Sequence, residues 1–520
     1  MIVCCRKVAV LVSFLFTAFC VSSQEQIKVE RWRIFELILK GPATGNPYTD
    51  VNLYAEFSRQ DKKISADGFY DGDGRYLIRF MPVDEGEWTY TTKSSVAELN
   101  NQSGKFTCLP ADRTNHGPVR VKGDYHFEYA DGSKYLPFGT TSYAWVHQGD
   151  SLANTTVKTL SGGYFNKMRM CIFPKWYEYN RNEPLLYPFE GKPEKSWDYG
   201  RFNPAFFRNI EKRVAQLDSL GIQADLILFH SYDKWGFSRM GPAEDGRYIK
   251  YLVARLSAYK NVWWSIANEY DLVDSKNIDD WNRIIAAVSA NDPYRHLLSI
   301  HQATRMFDHS RNSITHVSIQ NENTQEANTV REKYRKPVIY DECRYEGNIR
   351  IPWGNITAEE MVNKFYLGFS HGGYVGHGET YTTEKILRTS SSSNDILWWS
   401  KGGVLRGKSH TRIRFMRGIL EAAPGSLEPA AIIRPREMPY GAVGYQDEYF
   451  LVYFNMDQPR AAELSLPDHI YSIELVDTWN MTIRKLEGKY SGTSLVELPQ
   501  KPGMLLRIIR DKKDVNQSKR

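Results

Sequence analysis

The stretch VWWSIANEYDL, Val262–Leu272, decides the fold. Its first half is apolar and β-prone, with two adjacent tryptophans. It then ends on an amide, a carboxylate, a phenol and a second carboxylate: Asn268, Glu269, Tyr270 and Asp271. Burying an ionised carboxylate is costly unless the group is paired or has chemistry to perform. The surrounding pattern says which.

Seven further runs of the same texture accompany this one: YLPFGTTS, KMRMCIF, IQADLILFH, HLLSIHQ, ITHVSIQ, KPVIYDE and GGYVGHGE. Helical periodicity lies between most of them. Asn203-Pro204 offers an N-cap with proline in the first turn, and Phe206, Phe207, Ile210, Val214, Leu217 and Leu220 then share one face until Gly221. Asp245 is a candidate cap for a second helix, and Thr357-Ala358-Glu359-Glu360 reads as a capping box opening a third. HLLSIHQ and ITHVSIQ are joined by a short Arg/Ser/Asn-rich link with little room for a helix. Repeated βα units imply a parallel sheet with strands buried on both faces. Eight of them imply a TIM (β/α)8 barrel, over residues 118–427.

Alternating strands and turn signals flank this region. Residues 24–117 contain VNLYAEF, YLIRF and EWTYTT, and residues 428–510 contain AVGYQDEYFLVYF and YSIELVDTWN. Both read as small antiparallel β-sandwiches. The run DGFYDGDG lacks calcium-loop spacing and is expected to be a hairpin turn. Residues 1–23 read as a secretory leader, with Arg6 and Lys7 ahead of a short apolar run and cleavage before Gln24. That places the protein in the periplasm or outside the cell. A lipid anchor at Cys20 is disfavoured by the bulky Phe19 before it. Residues 511–520 read as a disordered charged tail.

Composition narrows the class. Of the formal +6, two charges lie in the leader and two in the tail, so the folded body offers no nucleic-acid footprint. No later run is long enough to span a membrane. Cys108, Cys171 and Cys343 are too few and too scattered for a disulfide framework or a zinc site, and are expected to be buried. Neither a cofactor nor a metal is implied.

In a TIM barrel the residue that follows an apolar strand stands at the mouth, where active sites form. Glu269 ends the fourth strand and Glu342, in KPVIYDECRYEG, the seventh, so two carboxylates can face each other across the mouth. Hydrolysis of a glycosidic bond needs such a pair, one as acid/base and the other as nucleophile. Strand alternation places Asp341 on the opposite face from Glu342, and Asp271 falls in a loop; both are expected to support the site or lie on the surface.

Asn268-Glu269 at the end of strand four, with Glu342 at the end of strand seven, resembles the clan A glycoside hydrolases. The resemblance implies a retaining enzyme in which Glu269 is the acid/base, Glu342 the nucleophile and Asn268 a partner of the sugar 2-hydroxyl. The segments FYDGDGRYLIRFMPVDEGEWTYTT and YLPFGTTSYAW, with the closing sandwich, are similar to bacterial apiosidase-like glycoside hydrolases. That group carries an N-terminal β-sandwich and a collagen-binding-type C-terminal domain. Some relatives carry Asp at the acid position, where this chain has Glu269. The implied substrate is a plant or microbial polysaccharide or its oligosaccharides.

Position suggests further substrate contacts. Arg169 within strand two is a brace for a carboxylate or a buried ion pair. His230, Gln320 and Glu379 end strands three, six and eight; Glu379 is a rival carboxylate, and Glu322 a weaker one. Trp176, Trp235, Trp353, Trp398 and Trp399 fall after strands, and a subset of them, with Trp176 and Trp398 foremost, is expected to meet sugar faces. The long loop 174–203 is expected to shape the substrate end. Two other classes fit less well: a carbohydrate-binding or adhesion protein on a barrel without catalysis, and a metal-dependent hydrolase using His147, His230 and His301. Both carboxylates are present, which favours the enzyme, and no HExxH or paired-histidine spacing supports the metal.

Overall fold

The computed structural model describes residues 27–193, 196–383, 395–435 and 440–511. The leader with Cys20 and nearly all of the charged tail lie outside them. No helix among the described residues is long and apolar enough to cross a membrane.

Eight parallel strands form the central sheet: β1 (Gly139–Thr141), β2 (Lys167–Cys171), β3 (Gln223–His230), β4 (Val262–Asn268), β5 (Leu298–Ser299), β6 (Val317–Gln320), β7 (Val338–Glu342) and β8 (Tyr374–His377). Their order is β5-β4-β3-β2-β1-β8-β7-β6. A parallel bridge between His301 and Ser318 joins the two ends, and the sheet closes as a TIM barrel. All eight strands lie where the periodicity puts them, with two reductions. Lys134–Tyr135 pairs instead with a hairpin, because Pro137 has no N–H to continue the ladder towards Gly139. HLLSIHQ forms only Leu298–Ser299 plus the bridge at His301, and no helix separates it from β6.

The helices form where capping and periodicity direct. Asn203 accepts the Ala205 N–H at 3.1 Å and opens Pro204–Ser219, whose Phe206, Phe207, Ile210 and Val214 pack into the main core. Thr357 accepts the Glu360 N–H and opens Ala358–Ser370. Asp245 is not a cap: its helix starts at Pro242, and its carboxylate is buried against Lys276 at 2.7 Å.

The N-terminal sheet has seven strands between Lys28–Glu30 and Ser103–Leu109, antiparallel except where those two pair. Phe35 and Phe106, from opposite ends of the strand order, stack at 4.2 Å, so the sheet folds over its own core. The DGDG run is its turn, and Asp71 pairs with Arg255 and Arg208 of barrel helices at 2.9 and 3.0 Å. At the other end, a six-stranded and a three-stranded sheet share a core around Val452, Leu464, Ile473, Val496 and Leu506. This second sandwich meets the barrel through Tyr453 stacked on Tyr366 at 5.0 Å.

The barrel interior carries charge where branched aliphatic layers are usual. Lys167 Nζ lies 2.6 Å from Asp225 and 2.7 Å from Asp341, all three about 1–2 % exposed. Ser318 donates to Asp341 at 2.6 Å. Burial works against the charge on Lys167, but the two aspartates outweigh it and raise its pKa. Burial would also raise the pKa of Asp341, yet Lys167, Arg169 and Ser318 bring it well below the carboxylate range. Removing the one cation shared by two buried carboxylates is expected to be severe. Lys167→Met should lower unfolding stability by about 3–5 kcal/mol, measured by urea titration with tryptophan fluorescence.

Candidate active site

Two local departures from regular backbone aim the carboxylates at the mouth. Glu269 follows the last residue of β4 and adopts a left-handed conformation, φ 53° and ψ 56°, at the head of the short turn Tyr270–Leu272. A non-glycine residue is held there only at some cost, and such positions gather at functional sites. On β7 the pairing with β6 slips: Ile319 pairs with Tyr340, but Gln320 pairs with Glu342. The extra residue is Asp341. The bulge breaks the alternation, so Asp341 reaches the barrel interior beside Lys167 while its neighbour Glu342 faces the mouth. Asp341 is therefore not a surface group.

Glu269 and Glu342 line one cleft of about 800 Å³, with Gln320, Trp353 and Trp399 in its wall. Beneath them runs a continuous set of contacts. Tyr143 Oη donates to Glu342 Oε1 and lies 3.2 Å from Asn268 Oδ1. Arg169 Nη1 donates to Asn268 Oδ1 at 2.9 Å and stands 3.6 Å from Glu342 Oε1. Asn268 Nδ2 donates to Glu269 Oε2 at 3.0 Å. Asn268 thus links the two carboxylates, and Arg169 both braces it and belongs to the buried ion network, with Nε 3.8 Å from Asp225. Burial and the nearby Glu269 raise the pKa of Glu342, and Arg169, Tyr143 and Lys175 offset only part of that rise. Burial and Glu342 raise the Tyr143 phenol, which stays a hydrogen-bond donor. Tyr232 bonds Glu269 in the same way, and burial with the Glu269 charge keeps it protonated.

Of the other expected residues, Glu322 lies on the cleft wall, whereas His230, Trp176, Trp235, Trp398 and Glu379 do not. His230 is buried with Nε2 on the Phe173 carbonyl at 3.1 Å, and burial lowers its pKa to about 3. Trp398 is core, its indole donating to Thr140 Oγ1 at 2.8 Å. The neighbour Trp399, one step further round that helical turn, takes the wall position. Trp176 turns away beneath Lys234, which lies 3.3 Å from its ring centroid, and Trp235 is buried with its indole on Glu183. The wall instead contains Lys175, Tyr177 and Tyr179 from the long loop after β2, Tyr232 after β3, and Arg344 and Tyr345 after β7. Arg344 lies 3.3 Å from Glu322 at the rim. Asp271 accepts the Ala303, Thr304 and Arg305 N–H groups and fixes the loop after β5.

Glu379 is 1 % exposed and accepts the Arg406 and Gly407 N–H groups at 2.5 and 2.8 Å. Its strand neighbour Glu346 accepts those of Lys408 and Ser409. Four consecutive N–H groups leading into helix Ser409–Glu421 are thereby satisfied. With His377 these glutamates form the one cluster among the described residues whose ligand atoms, within 4.8 Å of each other, could hold a metal ion. The N–H dipoles already occupy the carboxylate oxygens and oppose a cation there. His147 and His230 bond main-chain carbonyls, and His301 Nε2 lies 3.9 Å from Glu342; the three form no ligand set.

A barrel whose β4 and β7 end in cleft-facing glutamates has the architecture of a clan A glycoside hydrolase. The apiosidase-like catalytic-domain family matches residues 122–424, more than half of the chain, and the protein belongs to it. Two domains of unknown function, DUF5060 and DUF5605, match residues 28–95 and 437–509. Among solved structures, a candidate glycoside hydrolase from Bacteroides vulgatus ATCC 8482 is 41 % identical, with a TM-score of 0.87, covering 94 % of this chain and all of that one. A family 5 glycoside hydrolase from the same organism shares the fold at 14 % identity and a TM-score of 0.60, covering 78 % of this chain and 96 % of its own. No curated protein matches the chain. The protein is a glycoside hydrolase.

Burial and the Glu346 charge raise the pKa of Glu379 to about 7. The folded state then holds a proton that the unfolded state loses near pH 4.5, so stability falls as pH rises from about 4.5 to 7. Glu379→Gln should remove that part of the fall, up to about 3 kcal/mol, seen as a smaller change in Tm between pH 5 and 8.

Proposed function

We propose that the protein hydrolyses O-glycosidic bonds by a retaining double displacement. Glu342 attacks the anomeric carbon as Glu269 protonates the departing oxygen, giving a glycosyl-enzyme ester. Glu269 then takes a proton from water, which attacks the same carbon and releases Glu342. The observation that carries this reading is the asymmetry of the pair. Tyr143 and Arg169 both address Glu342 Oε1, where negative charge is needed for attack. Glu269 has Asn268 and Tyr232 as neutral partners and keeps an oxygen towards the cleft. Gln320 lines the cleft, and its Oε1 is buried without a hydrogen-bond partner among the described residues. Trp353 and Trp399 supply flat faces for a sugar ring.

The leader pattern of residues 1–23 supports export from the cytoplasm, and the aromatic-walled cleft supports a plant or microbial polysaccharide or its oligosaccharides as substrate. The test is hydrolysis of a panel of 4-nitrophenyl glycosides and polysaccharides by the wild type, Glu269→Gln and Glu342→Gln. Glu269→Gln should lose about 10²–10⁴-fold in rate on poor leaving groups, and Glu342→Gln should lose all detectable turnover. Azide should restore Glu342→Ala with an inverted glycosyl azide as product, identified by NMR. Equal glycan binding by all variants with no cleavage by any would instead make the barrel a binding scaffold.

A further inference from the structure

Lys175 stands where the reacting sugar must lie. It follows Phe173-Pro174 just beyond β2, is only 2 % exposed, and still lines the cleft with Glu269 and Glu342. Its ammonium lies 3.6 Å from the Tyr143 ring centroid, 4.2 Å from Tyr232, 4.7 Å from Tyr177 and 5.5 Å from Trp399. Tyr143 is the partner of Glu342 and Tyr232 that of Glu269, so the cation is seated between the two carboxylates. No hydrogen bond or ion pair to an oxygen engages it among the described residues. Ring faces offset part of the desolvation of an ammonium, but its three N–H donors still require acceptors. A buried ammonium without an oxygen partner, open to a cleft, is a site for a ligand oxygen.

The charges around it identify its second task. Tyr143, Tyr177, Tyr232 and Cys171 face it, and burial keeps all four protonated. Burial keeps His230 neutral as well. Arg169 and Lys167 are answered by Asp225 and Asp341 inside the barrel. The charges left facing Lys175 are those of Glu269 and Glu342. With a proton on Glu269 as the acid, Lys175 and Glu342 balance.

We propose that Lys175 holds the reacting sugar, donating to a hydroxyl or ring-substituent oxygen of the residue seated between Glu269 and Glu342, and joins Arg169 as a counter-charge of the nucleophile. The charge balance favours an uncharged sugar at this position. This rests on the double-displacement reading given above.

The experiment uses the full chain and the 4-nitrophenyl glycoside that the wild type cleaves fastest, with its monodeoxy analogues. Lys175→Met keeps the length and apolar stem of the side chain, and Lys175→Gln keeps a donor without the charge. For one deoxy position the wild type should lose about 10–100-fold in kcat/KM, and Lys175→Met should show little further loss there. The acid limb of the kcat/KM profile should move up by about one pH unit in both variants, because Glu342 loses an opposite charge. An unchanged acid limb in both variants, with every deoxy penalty retained in Lys175→Met, overturns the proposal. If Lys175→Met does not fold, the acid limb of Lys175→Gln decides, and an unchanged limb there overturns the proposal. Wild-type activity that survives Glu269→Gln and Glu342→Gln, or a panel in which nothing is cleaved, overturns the parent reading instead. A uronide or sulfated glycoside cleaved in preference to its neutral counterpart, with that preference lost in Lys175→Met, overturns the assignment of an uncharged sugar.

Discussion

The site depends on an arginine held by charge inside the barrel. Arg169 cannot choose its own position: its guanidinium is constrained from below by Asp225 and from above by Asn268 and Glu342. Lys167 and Asp341 complete the lower layer, and Ser318 and Ser265 donate or accept at its edges. Such a buried network is costly by comparison with an aliphatic core and is poor evidence for stability. Here it fixes orientation. Both cleft carboxylates are held by groups that the network holds in turn.

The backbone contributes the other half of the geometry. A regular β7 would send Asp341 and Glu342 to opposite faces. The bulge against β6 lets both serve, one as an interior anion and the other at the mouth. At the end of β4 the left-handed Glu269 turns the chain across the barrel rim, while Asn268 remains in register with His230. The sequence Asn-Glu-Tyr-Asp is resolved by this turn. Glu269 faces the cleft with Asn268 bonded beneath it, Tyr270 is buried beside Trp281 and Phe307, and Asp271 ties down the next loop.

What could be read from the sequence follows from what periodicity encodes. Strand ends are visible as the last apolar residue of a buried run, so the cleft positions of Glu269, Glu342 and Gln320 were legible. Tyr143, Lys175 and Tyr232 were not, although each stands within four residues of a strand end. Their positions depend on loop conformation, which pattern does not carry. The same limit separates Trp398 from Trp399: one residue along a helical turn exchanges the core for the cleft. His230 and Glu379 share the strand-end signature, yet a main-chain carbonyl claims the first and a helix N-terminus the second. Competition from nearby backbone groups is invisible in a linear pattern.

The division of labour along the chain follows from the same contacts. The lining residues of the cleft all fall between Lys175 and Trp399, within the barrel segment. The N-terminal sandwich reaches the barrel through Arg79 and Asp71, which meet Glu211 and Arg255 on the helices behind β3. The C-terminal sandwich meets helix Ala358–Ser370 through Tyr453 and Tyr366, and helix Ser409–Glu421 through Arg412, which stacks over Trp479 at 3.8 Å. That second helix is also the one whose leading N–H groups are satisfied by Glu346 and Glu379 beside β8. The flanking sandwiches therefore meet the barrel's outer ring, and the inner ring, with its buried charges and its bulge, shapes the cleft.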